Sequence, residues 1–266
     1  MKLYWRAGQV IDESEAVLSY ADIGVTRGYG IFDFLRTYGR RTFYLEAHLD
    51  RFFSGAMATD LKPPYTKKEL MIAVEDLVNK HPEANLGIKL FLTGGISADG
   101  FMVTGEPTFW MVAYPLAQPP SSVKLKTVVA TRSLPDVKST NYMEGAMWVK
   151  RYKQMGFDDI IYKSKEGGLT ESSTSNLFFV KDQTLVTADQ GVLMGITRHL
   201  VLKTAKDVVK VEFRQVHESE LSSFSECFIT STTKEICPVS RIDHKEFSLS
   251  HNLVTRQLKR LFEGLK

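Results

Sequence analysis

The run Pro115-Leu116-Ala117-Gln118-Pro119-Pro120-Ser121-Ser122 is the strongest constraint on how this 266-residue chain can fold. Its prolines fix φ and remove backbone donors, so neither a helix nor a central strand crosses it. The run reads as a linker, with a boundary near residue 118. It predicts an N-terminal domain over 1–118 and a larger C-terminal domain over 119–266. At this length roughly three quarters of the unfolded surface can be buried, so neither domain needs staples. Two cysteines, Cys227 and Cys237, make no disulfide framework.

Both pieces mix strand and helix signals. In the first, Lys2 to Trp5, Gln9 to Ile11 and Gly28 to Tyr38 read as strands, with a hairpin turn at Gly39-Arg40. Leu49, Phe52, Phe53, Ala56 and Met57 then fall at helical spacing, which predicts a helix over Glu46 to Thr59. Thr66 with Glu69 is a capping box that opens a second helix, ending near His81-Pro82. Strands follow at Gly87 to Thr93 and Thr108 to Tyr114. The second piece opens with a strand over Val123 to Thr131. The next helix has Tyr142, Met143, Ala146, Met147, Val149 and Met155 on its expected apolar side. Strands are predicted at 159–163, 177–181, 184–188, 211–215, 227–230 and 236–242, and helices over 197–209 and 252–265. The elements do not alternate strictly, so the fold class is α+β, in two domains.

Net charge is +3, too mild to point to nucleic acid or a polybasic membrane surface. No signal segment or spanning stretch is visible, and the expectation is a cytoplasmic protein. The six histidines never take metal-ligand spacing, so no metal site is expected. No glycine-rich nucleotide fingerprint occurs. Ser231-Thr232-Thr233-Lys234 fits the serine-acylase spacing, but so does Ser121-Ser122-Val123-Lys124 inside the linker.

Four features carry chemistry. Gly195-Ile196-Thr197-Arg198 opens a helix, where free N–H groups and the dipole suit a phosphate. Thr230 to Thr233 puts four hydroxyls at a strand end. Lys138 sits before a Ser-Thr-Asn run, and an amine there can form a Schiff base if desolvated. Glu171 follows the Gly167-Gly168 turn and could face a protonated ring nitrogen. Each alone also fits a plain cap, a polar turn or a solvated side chain. Together they are the parts for binding pyridoxal 5'-phosphate.

With these blocks in order, the chain resembles the class IV (fold type IV) pyridoxal-phosphate aminotransferases, nearest to divergent D-amino-acid aminotransferases. The resemblance runs through Gly28-x-Gly30-x-Phe32-Asp33, His48-Leu49-Asp50-Arg51-Phe52, Lys138-Ser139-Thr140-Asn141, Glu171-Ser172-Ser173, Ser175-Asn176-Leu177-Phe178, Gly195-Ile196-Thr197-Arg198 and Ser231-Thr232-Thr233. It implies that Lys138 carries the cofactor as a Schiff base and moves the substrate proton. Glu171 would pair with the ring nitrogen and Leu193 would pack on a ring face. Arg51, Ile196, Thr197, Ser231 and Thr232 would hold the phosphate. Phe32 would line the substrate side. The resemblance also implies ping-pong transfer from an amino acid to a 2-oxo acid, and a homodimer.

Two departures bear on the substrate. Thr93-Gly94-Gly95 stands where D-amino-acid enzymes carry Thr-Arg-Gly, and the Tyr-x-Arg pattern of branched-chain enzymes is missing. Arg27, reaching from the partner subunit, is the first candidate for the substrate carboxylate, with Lys234 and Arg36 in reserve. These features lean towards D-alanine or D-glutamate as donor. Branched-chain L-amino-acid transamination is the nearest alternative, and aminodeoxychorismate lyase chemistry the next.

Overall fold

The computed structural model describes all 266 residues, Met1–Lys266. They form two compact units, one of Met1–Ala117 with Val137–Asn141, the other of Gln118–Asp136 with Tyr142–Lys266. The strip Val137–Asn141 follows the linker in sequence yet belongs to the N-terminal unit. Backbone bonds explain this. Phe32 N–H donates to Lys138 C=O at 2.9 Å, Thr140 N–H donates to Gly30 C=O at 2.9 Å, and Ile31 bridges Ser139. Lys138, expected in the larger piece, therefore sits in the smaller one.

The first unit contains β1 (Leu3–Arg6), β2 (Gln9–Ile11), α1 (Ile23–Thr26), β3 (Gly30–Tyr38), β4 (Arg41–Thr42), α2 (Leu45–Ala58), α3 (Lys67–Lys80), β5 (Leu86–Thr93) and β6 (Thr108–Pro115). Its six strands form one sheet in the order β2-β1-β6-β5-β3-β4. Alternation along the strands sends Ile31, Leu35, Ile88, Leu90 and Leu92 into a core with Leu49, Phe52 and Ala56 of α2 and Leu70, Val74 and Leu77 of α3. The capping box holds α3 as its sequence predicts: Thr66 N–H donates to Glu69 Oε2 at 2.7 Å, and Glu69 N–H to Thr66 Oγ1 at 3.3 Å. On the opposite face Phe32 pairs with Phe91, Phe34 with Lys89, and Phe91 with Trp110.

The second unit contains β7 (Val123–Val129), α4 (Met143–Lys153), β8 (Asp159–Lys163), β9 (Gly168–Ser172), β10 (Asn176–Lys181), β11 (Thr184–Thr187), α5 (Ile196–Ala205), β12 (Lys210–Phe213), β13 (Val216–His217), β14 (Glu226–Ser231), β15 (Glu235–Ile242), β16 (Lys245–Glu246) and α6 (Leu253–Glu263). The path β10-β14-β15-β7-β8-β9 returns to β10 where Asn176 pairs with Glu171, so the sheet closes on itself. Leu125, Ile161, Leu169, Leu177, Phe179, Ile229 and Val239 form its core.

One expectation fails here, and one strand goes unmarked in the sequence. The methionine side of α4 is not apolar-facing: Met143, Met147 and Met155 are 78%, 64% and 62% exposed. The helix instead lays Trp148, Val149 and Tyr152 on Val128, Ile160 and Tyr162, a competing stripe at helical spacing. The turn before Glu171 is present at 165–167, but it opens directly into the strand β9 (Gly168–Ser172), which the sequence does not mark. Its buried Glu171 and Ser172 hide the strand pattern, because polar residues there are satisfied by hydrogen bonds rather than by solvent.

Candidate active site

In the first unit, Lys138 lies between buried Val137 and Ser139, and its carbonyl is held by the Phe32 N–H. Thr140 Oγ1 ties the same strip to the carbonyls of Gly28 and Gly30, at 3.0 and 3.2 Å. The Lys138 Nζ stands 4.5 Å from the centroid of the Phe32 ring. Two predicted residues, Lys138 and Phe32, are thus brought together on one face of the sheet.

Arg51, on α2, is already engaged. Its Nε donates to Asp33 Oδ2 at 2.8 Å and its Nη2 to Asp33 Oδ1 at 2.9 Å. His48 Nδ1 shares that Oδ1 at 2.7 Å. Asp33 is fully buried. Burial alone would raise its carboxyl, but the Arg51 guanidinium and His48 outweigh it and hold the group well below the usual range. Burial pushes the His48 imidazole down, opposed by Asp33 and reinforced by the charges of Arg51 and Lys138. The arrangement orients Arg51 and leaves its Nη1 for an anion. Arg27 is exposed at the C-terminal cap of α1, with Nη1 donating to the Thr26 carbonyl at 2.9 Å. Arg36 is buried, with its guanidinium 4.1 Å from the Tyr38 ring centroid.

In the second unit, Glu171 is 2% exposed at the end of β9. Its Oε1 accepts from Arg132 Nη1 at 2.8 Å, and its Oε2 accepts from the Leu193 N–H at 3.0 Å and Asn176 Nδ2 at 3.2 Å. Asn176 Nδ2 also donates to the Leu193 carbonyl at 2.7 Å. Glu171 and Leu193, both predicted, are therefore joined directly. Arg132 and Asn176 complete the cluster. Asn176 lies in one of the quoted sequence blocks, but Arg132, from a polar loop, carried no pattern to single it out.

The N-terminus of α5 begins at Gly195, which supplies no side-chain cap. A Cβ at Gly195 would meet Asn176 Oδ1 at 2.2 Å, so the cap has to be glycine. Ile196 is half-buried and Thr197 buried at the first turn. Ser231 and Thr232 lie at and after the end of β14, both half-buried, and the Ser231 hydroxyl accepts from the Lys234 N–H at 3.2 Å. The Lys234 ammonium is engaged within the second unit. The Nζ is held by Thr174 Oγ1 at 2.8 Å, Ser175 Oγ at 3.3 Å and Asp159 Oδ2 at 3.4 Å.

These donor sets fit pyridoxal phosphate. Glu171 is a buried carboxylate fixed by three donors, suited to a protonated ring nitrogen. In the second unit a glycine-capped helix start suits a phosphate, and in the first unit, taken by itself, the oriented Arg51 guanidinium suits an anion.

A model of the amino-transferase class IV family matches residues 30–242. The chain belongs to that family. Class IV aminotransferases use pyridoxal phosphate, and this chain is a pyridoxal-phosphate-dependent aminotransferase. Among relatives of this class IV enzyme, a Methanocaldococcus jannaschii protein, assigned provisionally as a branched-chain-amino-acid aminotransferase, is 29% identical, with 100% of this chain and 96% of the relative covered. The D-alanine aminotransferase of Listeria monocytogenes serotype 4b is 28% identical, with 88% and 85% covered. The solved branched-chain aminotransferase of the thermophilic archaeon Thermoproteus uzoniensis, with norvaline, superposes with a TM-score of 0.90 at 26% identity, covering 98% of this chain and 93% of that one. The mixed helix-and-strand fold expected from sequence is that of the class IV enzymes.

Proposed function

We propose that this aminotransferase moves an amino group from a D-amino acid, such as D-alanine or D-glutamate, to a 2-oxo acid in ping-pong fashion, with Lys138 as the catalytic residue. The observation that carries the residue assignment is the Lys138 strip, stitched to Gly28–Phe32 so that its Nζ is fixed against the Phe32 ring. Bound pyridoxal phosphate supplies a carbonyl for the amino group and a ring that withdraws electrons from the substrate Cα. Lys138 Nζ would hold the cofactor and, once free as a neutral amine, would take the proton from the substrate Cα as general base.

In the first unit Arg51 would hold the phosphate, with Asp33 fixing the plane of its fork. In the second, Glu171 would keep the ring nitrogen protonated, Leu193 would pack on a ring face, and Ile196, Thr197, Ser231 and Thr232 would donate to the phosphate. The D-amino-acid reading is supported by Arg27 before Gly28-Tyr29-Gly30 and by the similarity to the Listeria enzyme. A branched-chain L-amino acid is the second reading, favoured by the Methanocaldococcus relative and the Thermoproteus structure. The active form is proposed to be a homodimer with Arg27 supplied by the partner. No helix is long and apolar enough to cross a membrane.

Single-turnover reactions with D-alanine, D-glutamate, L-leucine and L-glutamate decide the donor. Faster conversion of the D-enantiomers is expected, and exclusive use of L-leucine and L-glutamate would overturn the D-assignment. Lys138→Ala should remove the Schiff-base band near ~410–420 nm from the loaded protein; an unchanged band refutes the lysine.

A further inference from the structure

The second unit buries a cation that has no carboxylate of its own. Arg198 is the third residue of α5 and is 6% exposed. Its Nη2 donates to the Ala188 carbonyl at 2.8 Å, and its Nη1 donates to the Met194 Sδ at 3.6 Å. The guanidinium carbon lies 5.8 Å from the centroid of the Phe213 ring. The Nε has no hydrogen-bond partner, and no acid forms an ion pair with the group. Burial lowers its proton affinity, opposed by the charges of Asp189 and Glu171. The position does not favour an arginine. A charge is costly to desolvate, and a cation in the first turn of a helix meets the positive end of the dipole.

The two residues that Arg198 grips are the two ends of one loop. Ala188 directly follows β11, and Met194 directly precedes the Gly195 cap of α5. Between them the chain turns through Gly191 at φ +68°, with Asp189, Gln190 and Gly191 exposed. Val192 and Leu193 then turn inward, at 2% and 7% exposed. The Leu193 N–H donates to Glu171 Oε2, and its carbonyl accepts from Asn176 Nδ2 and from the Gly195 N–H at 2.9 Å. Arg198 therefore fixes the start of the loop, while Glu171 and Asn176 fix its inner end. A glutamine could satisfy the Ala188 carbonyl without burying a charge. A guanidinium adds a planar fork that holds two points at once, and so sets the distance between the loop ends.

We propose that Arg198 is a positioning residue for the cofactor: it straps the loop of residues 188–194 and so holds Leu193 against the face of the pyridine ring that Glu171 anchors. The inference rests on the reading that Leu193 packs on that ring. Arg198 itself touches no reacting atom and acts through Leu193. The strap accounts for a buried arginine at a helix start, where capping asks for no cation.

Pyridoxal phosphate would be titrated into the cofactor-free wild type, Arg198→Met, Leu193→Ala and the double variant, with affinity read from the visible absorbance. Thermal melts of the same four proteins would be taken without cofactor. Arg198→Met should weaken binding roughly 10-fold, the scale of one hydrogen bond to a charged group. Leu193→Ala should weaken it by about the same factor, through lost apolar contact with the ring. The double variant should bind about as weakly as either single one, because residues that act through one another do not add. The fall in Tm from Arg198→Met should persist in the Leu193→Ala background, so a merely structural role would move the melts without this coupling in affinity. A double variant weakened roughly 100-fold, the product of the single effects, overturns the proposal. Wild-type affinity in Leu193→Ala refutes the ring-face reading and the proposal with it. Weak binding by Leu193→Ala beside normal binding by Arg198→Met refutes the strap alone. Should Arg198→Met fail to fold, Arg198→Lys, with one contact in place of two, replaces it in the cycle, with a roughly 3-fold loss expected and the same refuting results.

Discussion

Replacing Glu171 by Gln tests the carboxylate cluster of the second unit. Glu171 and Arg132 form a 2.8 Å pair whose side chains are 3% and 7% exposed. In Glu171→Gln an amide oxygen at the Oε2 position can still accept from the Leu193 N–H and Asn176 Nδ2, but the amide NH2 at the Oε1 position cannot accept from Arg132. The result is a buried guanidinium without its counter-charge, which costs about 3–5 kcal/mol when one partner of a buried pair is removed. Unfolding entropy for a chain of this length is about 0.56 kcal/mol/K, so the cofactor-free Tm should fall by about 5–9 °C. Arg132→Met alone should cost a similar amount, because it strands the carboxylate. The double variant should recover about 2–3 kcal/mol of the summed loss, since neither charge is then left alone. Thermal melts of the four cofactor-free proteins, with urea midpoints as a second measure, give the cycle. Losses below about 1 kcal/mol that simply add would refute a tightly coupled buried pair. The two variants that carry Glu171→Gln should bind pyridoxal phosphate more weakly than wild type, because the ring nitrogen loses its anionic partner.

Stability should fall with acid in two stages. Burial keeps His48 neutral in the fold, so below its unfolded value of about 6.5 the unfolded chain takes up the proton first. Stability should then drop by up to about 1.4 kcal/mol per pH unit, and His48→Gln should remove this limb in urea midpoints taken between pH 7.5 and 5; an identical slope in the variant refutes it. Asp33 is depressed, so its contribution is complete above about 3.9 and is lost as pH falls further, a stage that Asp33→Asn should erase. Gly195→Ala forces a Cβ against Asn176 Oδ1, and should cost about 1–3 kcal/mol and weaken pyridoxal-phosphate binding to the cofactor-free protein; unchanged affinity would show that the α5 cap is not a phosphate site.

Local interactions made much of this legible in sequence. The helical spacing of Leu49, Phe52 and Ala56, the Thr66–Glu69 box and the proline-rich run act over a few residues, so composition and order are enough to find them. The same holds for the glycine start of α5 and for Glu171 as a carboxylate after a turn. The failures share a cause. On α4 two stripes compete, and only the neighbouring β7 and β8 decide that Trp148, Val149 and Tyr152 face inward. β9 is polar by sequence, yet it is buried because the sheet closes at Asn176 and Glu171.

What the sequence determined by itself is the class of chemistry: a lysine, a carboxylate, a glycine-started helix and a hydroxyl-rich strand end in a fixed order, in a chain long enough to bury them. What only the tertiary structure decided is who partners whom. Arg51 meets Asp33 across 18 positions and Arg132 meets Glu171 across 39. Lys234 is drawn to Asp159, while Lys89 is left on an aromatic face with no counter-charge. Pair energies of buried charges depend on distance and desolvation, and both are set by how strands register and sheets close, not by the order of residues along the chain.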